Sequence, residues 1–177
     1  MKPWVRRGGI VLAIAAATHL VAVWALPRLI MQVVISTTAK RAGGANVAFL
    51  PPLPDHTARE IVLPSPDLFY VICTYDVSET PLLVTAEIPD TYWSVAFYAS
   101  NTDNFFVLND RKAGSRQARV VLAREGDPLA SGPAGERVIR APSTRGVVLF
   151  RTLVPEAADV GRLDAARRSM QCGPLGA

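Results

Sequence analysis

At 177 residues the chain has room for one domain of ordinary size and a short attachment. Its net charge of +4 invites an acidic partner, yet six of the 19 Lys and Arg fall within the first 41 positions and all 15 Asp and Glu follow position 50. The remainder sets 13 basic against 15 acidic residues, net −2, which argues against nucleic-acid binding through a basic face.

Lys2, Arg6 and Arg7 precede Gly8 to Pro27, where His19 is the one ionisable side chain. A helix crosses a ~30 Å hydrocarbon core with about 20 apolar residues, so residues 8–27 are expected to enter a lipid bilayer as a transmembrane helix. A cleaved signal peptide competes with this reading, but its apolar core usually runs only ~7–15 residues and ends at a small-x-small site. No such site follows, and Leu29 to Ile35 stay apolar after Arg28. Length therefore favours an uncleaved signal anchor. Pro27 is expected to kink or end it, because proline has no amide donor and crowds the preceding turn. Trp4 and Trp24 suit the two headgroup belts. The leading cations and the amino terminus bias the N-terminus to the cytoplasm. That makes a single-pass protein of the inner (cytoplasmic) membrane, with the remaining chain on the periplasmic or extracytoplasmic side of the cell envelope.

Residues 1–36 are thus read as the anchor, 37–54 as a tether stiffened by Pro51, Pro52 and Pro54, and 55–177 as a β-rich domain. From Ile61 onward the pattern is that of strands. Phe69, Val71, Cys73 and Tyr75 alternate with Tyr70, Ile72 and Thr74, and Trp93, Val95 and Phe97 alternate with Tyr92, Ser94, Ala96 and Tyr98. Shorter strands are expected at Leu82–Glu87, Phe105–Asn109, Ala118–Ala123, Glu136–Ala141 and Gly146–Leu153, separated by turns rich in Asp, Asn, Gly and Pro. This spacing predicts a mainly β fold, an antiparallel β-sandwich or barrel-like domain. A C-terminal helix is expected over Glu156 to Gln171, with Val160, Leu163, Ala166 and Met170 as its apolar stripe and Gly173-Pro174 as its stop. Arg111-Lys112 and Arg167-Arg168 read as solvated faces.

Cys73 and Cys172 lie in the part expected to be exported, where an even count favours a disulfide. Such a bond would close a loop of about a hundred residues, worth ~4–5 kcal/mol on the chain-entropy model. Two separate thiols, with Cys73 a small buried hydrophobe, is the alternative.

Catalytic signatures are sparse. His56 is the domain's one histidine and sits beside the tether, which leaves a His-based triad or metal site without partners. No phosphate-binding glycine loop and no C-x-x-C occurs, and no metal or cofactor is expected. Asp67, Asp76, Asp90, Asp103 and Asp110 fall at strand ends or turns, where Asp caps backbone amides; two converging at one rim would suit acid–base cleavage of a glycosidic bond. Tyr70, Tyr75, Tyr92 and Tyr98 are either cleft-lining or packing residues. Arg151, closing the apolar run Gly146 to Phe150, needs an anion: a structural Asp or a bound ligand.

The order of short motifs carries a resemblance. Pro66-Asp67-Leu68-Phe69-Tyr70, Tyr75-Asp76-Val77-Ser78, Pro81-Leu82, Pro89 with Tyr92-Trp93-Ser94, Phe97-Tyr98, Asn101 to Phe105, Asn109-Asp110, Pro142 and Arg151 together resemble the domain of unknown function 1254 family, over roughly Pro54 to Gln171. The resemblance implies a mostly β, sandwich-like domain found in bacterial envelope or exported proteins, often fused to the related domain 1214. Here Pro66 meets Asp67 directly and Leu68 stands where the family carries a threonine, which depletes a polar site at that point.

The expected function is that of a membrane-anchored domain without catalytic activity, which binds an envelope protein or small ligand through Tyr98, Asn101, Asp103 and Asn104. The alternative is a hydrolase or lyase acting on an envelope carbohydrate or ester through Asp67 or Asp103 with Tyr70, Arg151 holding an anionic group. A third reading makes the protein a subunit of a membrane complex, with His19 as an intramembrane polar handle.

Overall fold

The computed structural model describes residues 2–59, 64–114, 116–128, 132 and 136–176. The expected start of strand patterning at Ile61 and part of the Gly126 to Gly135 turn lie outside the described residues.

One helix, α1 (Pro3–Ala42), opens the chain. Pro3 occupies its first turn, where the missing N–H is an orphan in any case, and Gly43 ends it in the left-handed region at φ 87°. At ~1.5 Å per residue it is about 60 Å long, twice a hydrocarbon core. Its most apolar 18-residue window has mean hydropathy 2.1, and none of it is buried in the protein. Pro27 sits inside the helix, which does not stop there as one alternative expected. Proline is tolerated in apolar helices where neighbouring groups re-satisfy the freed backbone. The Arg28 guanidinium lies 4.4 Å from the centre of the Trp24 ring and donates to the Trp24 carbonyl, one turn back.

The last third of α1 docks on the domain. Met31, Ile35 and Thr38 share one face and are buried, Met31 and Ile35 packing with Val147, Ile72 and Tyr98. Residues 37–42, expected as the start of a tether, therefore remain helical. After Gly43, the Asn46 amide exchanges two hydrogen bonds with the backbone of Asp76, and β1 (Ala48–Phe49) pairs with β2. The expected tether is built into the sheet.

The strands are β2 (Leu68–Asp76), β3 (Leu82–Glu87), β4 (Trp93–Ala99), β5 (Asn104–Asn109), β6 (Gln117–Arg124), β7 (Arg137–Ala141), β8 (Arg145–Leu153) and β9 (Gln171–Pro174). They form a five-stranded sheet in the order β1-β2-β8-β4-β5 and a four-stranded sheet in the order β7-β6-β3-β9. Neither sheet closes into a barrel. All pairings are antiparallel except β6–β7, which is parallel and corrects the wholly antiparallel expectation.

The inward faces carry Val71, Tyr75, Trp93, Phe97, Phe150, Leu82 and Leu122, each at most 1% exposed, with Trp93 stacked on Phe150 at 6.0 Å. Gly146 is required where it stands, because a Cβ there would run into the Tyr98 carbonyl and the Tyr75 ring. A disulfide between Cys73 on β2 and Cys172 on β9 joins the two sheets across 99 residues of sequence.

The C-terminus departs most from expectation. A 3-10 turn (Ala157–Asp159) leads into α2 (Val160–Arg168), and Gln171–Pro174, expected as helix end and stop, instead pair with β3. The open edge of β3 supplies backbone partners that a tenth helical turn residue would not have, and tertiary pairing overrides local propensity. Leu163 and Met170 are buried as expected, and so is Arg167, which the sequence placed on a solvated face. Its guanidinium lies over the Phe69 ring at 4.5 Å and bonds Asp164 and the Pro51 carbonyl.

Candidate functional site

Strand alternation sends Phe150 and Thr152 into the core and Arg151 to the outer face of the five-stranded sheet. Register then decides its neighbours. Arg151 pairs with Tyr70 on β2 and Ser94 on β4, and Ser94 pairs with Asn109 on β5. Residues paired in register project to the same side, so Tyr70, Arg151, Ser94 and Asn109 form one polar row across four strands. Tyr92, two residues before Ser94, stands on this face at 42% exposure. Val147, where α1 packs, is four residues from Arg151 along β8, about 13 Å at ~3.3 Å per residue.

The row's hydrogen bonds are incomplete. The Tyr70 hydroxyl accepts the Ser65 amide at 3.0 Å, and the Ser94 hydroxyl accepts weakly from Tyr92 at 3.4 Å. Arg151 Nε and Asn109 Oδ1 are shut off from solvent without a partner among the described residues. A shallow recess lined by Asp55, His56, Arg59, Pro64, Ser65 and Pro66 shares Ser65 with this corner. Beside His56, the hydroxyl and amide of Thr57 hold the Asp55 carboxyl below its ordinary value.

The other site residues read from the sequence go elsewhere. Asp67 is exposed just before β2, where its carbonyl accepts from Val154. Asp103 lies in the β4–β5 turn at the opposite end of the sheet. Leu68 faces Leu153 and Ala99 faces Gly146, seven residues apart on β8, so Asp67 and Asp103 are separated by about 23 Å. Carboxylates that cleave a glycosidic bond stand ~5–9.5 Å apart. Thus Tyr70 and Arg151 come together, and Asp67 and Asp103 do not join them as a pair.

The rim residues serve the turn. Asn101 donates to the Asp103 carboxylate and accepts the Asp103 amide, while Asn104 donates to the carbonyls of Phe97 and Phe106. Tyr98 packs against α1. Asp76 closes a neighbouring turn: burial raises its carboxyl, but bonds from Ser78 and Arg145 outweigh this and hold it below the ordinary value. No group of three or more His, Cys, Asp or Glu that could hold a metal occurs among the described residues. Ser94 and Asn109 entered the sequence reading as parts of family motifs and not as site residues. Alternation puts Ser94 opposite Trp93, but only the register sets it beside Arg151.

A family model described as protein of unknown function (DUF1254) matches residues 45–174. Among solved structures, the chain is similar to the VPA0106 protein from Vibrio parahaemolyticus, with a TM-score of 0.65 at 15% identity over 84% of this chain and 35% of that one. It is also similar to an uncharacterized protein from Burkholderia cenocepacia, with a TM-score of 0.50 at 17% identity over 78% of this chain and 37% of that one. The chain thus spans about a third of the length of these two proteins. No curated protein sequence matches it.

Proposed function

The chain belongs to the DUF1254 family, and on that premise we propose that it is a single-pass inner-membrane protein whose β domain stands in the periplasm and binds a partner or small ligand without catalysis. The observation that carries this reading is the continuity of α1. Its apolar part is unburied, and its last third packs on the five-stranded sheet through Met31 and Ile35. The same helix therefore serves as anchor and as a wall of the domain.

The Cys73–Cys172 disulfide supports the sidedness, because such bonds persist in oxidising compartments. Two features favour binding over carboxylate acid–base chemistry: the wide separation of Asp67 from Asp103, and the use of the Asn101 to Asn104 polar groups in closing their own turn. Within this reading the polar row at Arg151 is the better binding candidate than that turn.

A phosphatase reporter that folds only outside the cytoplasm, fused after Ala177, is expected to be active in cells. Activity instead from a reporter that works only in the cytoplasm would overturn the placement.

A further inference from the structure

We propose that Arg151, with the hydroxyls of Tyr70 and Ser94, forms a site for an oxyanion, the carboxylate or phosphate group of a small ligand. The proposal deepens the binding reading above and rests on it.

Arg151 differs from the other described arginines that are not exposed. Arg167 meets Asp164 and the Pro51 carbonyl, and Arg140 is partnered as well. Arg151 is half-buried with no ion pair or hydrogen bond among the described residues, and its Nε is closed to water. Desolvating even one guanidinium N–H without a partner is unfavourable, so a structural role alone does not account for it.

Its surroundings are those of an anion site. No carboxylate is paired to it in register; its two cross-strand neighbours are a tyrosine and a serine. Tyr70 accepts from Ser65, which leaves the phenol proton free to donate. Ser94, 1% exposed, accepts from Tyr92 and likewise keeps its proton. Two hydroxyl donors thus stand on the residues paired in register with a guanidinium fork, a donor set that binds carboxylate or phosphate through charge-assisted bonds. Asn109, next in the row, has a primary amide able to turn either its oxygen or its nitrogen toward a ligand. The α1 contact is about 13 Å away along β8, so α1 does not supply a partner to this row.

The test uses the full chain, labelled with 15N-arginine, in an uncharged detergent at constant ionic strength, titrated separately with inorganic phosphate and with acetate. The Arg151 Nε–H resonance, identified by its loss in Arg151→Met, is expected to shift saturably with at least one of them; which one assigns the chemistry. Tyr70→Phe should weaken that binding about tenfold, the ordinary loss of a hydrogen bond to a charged group. A shift that appears in phosphatidylglycerol nanodiscs without added anion, and not in phosphatidylcholine ones, assigns the phosphate of an anionic lipid headgroup as the source. Without any anion, Arg151→Met should raise Tm by roughly 2–4 °C, since it removes an unpaired desolvated N–H of a charged group. Absence of saturable shifts with both anions and both nanodisc types, or a fall in Tm for Arg151→Met, would overturn the site. The reporter keeps the two readings apart: cytoplasmic placement with an intact anion shift sinks the location and spares the site, and the converse result sinks the site alone.

Discussion

Removing the inter-sheet disulfide is the perturbation whose magnitude follows most directly from the fold. Cys73 and Cys172 are 99 residues apart, so the bond closes nearly the whole β domain into one loop. The chain-entropy relation assigns a loop of that length about 4.7 kcal/mol. Domains of this kind are typically stable by only ~5–15 kcal/mol, so the bond is a third or more of the total. At about 2–4 °C per kcal/mol for a chain of this size, the double variant Cys73→Ala/Cys172→Ala should melt roughly 10–20 °C lower. Replacing both cysteines avoids leaving one thiol alone in the core, where Cys73 is fully buried. Thermal unfolding of the full chain in detergent, with and without reductant, gives the comparison. The parent is expected to fall toward the variant when reduced, and the variant to be indifferent to reductant. If parent and variant melt within about 2 °C of each other, the loop-closure reasoning is wrong.

Two further perturbations test parts of the core. Burial raises the Tyr75 phenol from 10 to about 12, partly opposed by the Ser143 hydroxyl. Because the folded value lies above the unfolded one, its contribution is complete below pH 10 and is lost as pH climbs from 10 to 12, by at most ~2.7 kcal/mol. Tyr75→Phe should therefore lose less stability than the parent between pH 8 and pH 11.5 in urea titrations, and an identical decline in both would contradict the assignment. Ile35→Ala should weaken the α1–sheet contact by about 2 kcal/mol, and limited proteolysis at Gly43-Gly44 should accelerate in proportion. An unchanged cleavage rate would mean that the helix does not hold the domain.

Legibility divides along the range of the interactions. Seven strands could be read from alternation alone, because Phe69, Val71, Cys73 and Tyr75, or Trp93, Val95 and Phe97, each need one dry face and declare it at period two. β1 and β9 could not, since strands of two and four residues carry no period, and Gly173-Pro174 reads locally as a helix stop. The parallel β6–β7 pair depends on how the intervening segment returns, which local pattern does not encode. Arg167 looked solvated because its partners, Phe69 and Pro51, are about a hundred residues away in sequence. For the candidate site, Arg151 was visible as a lone cation in an apolar run. Its setting was not: β2 and β4 precede β8 by more than fifty residues, and a slip of one residue would have turned Tyr70 and Ser94 to the other side.

That same register ties the candidate site to the anchor. Arg151 and Val147 stand on one strand and one face, the first in the polar row and the second under α1. A helix that passes from its apolar segment into this contact without a break sets the tilt of the sheet by packing, which a flexible tether would not do. Met31 is only four residues past Pro27, about 6 Å of helix, so the docked domain begins within roughly one turn of the apolar segment. An anion bound at Arg151 would then be presented at a fixed height and angle to the bilayer. Loosening the contact with Ile35→Ala should leave the affinity of the isolated site for phosphate or acetate unchanged while freeing its orientation. If affinity falls with docking, the helix is part of the site itself.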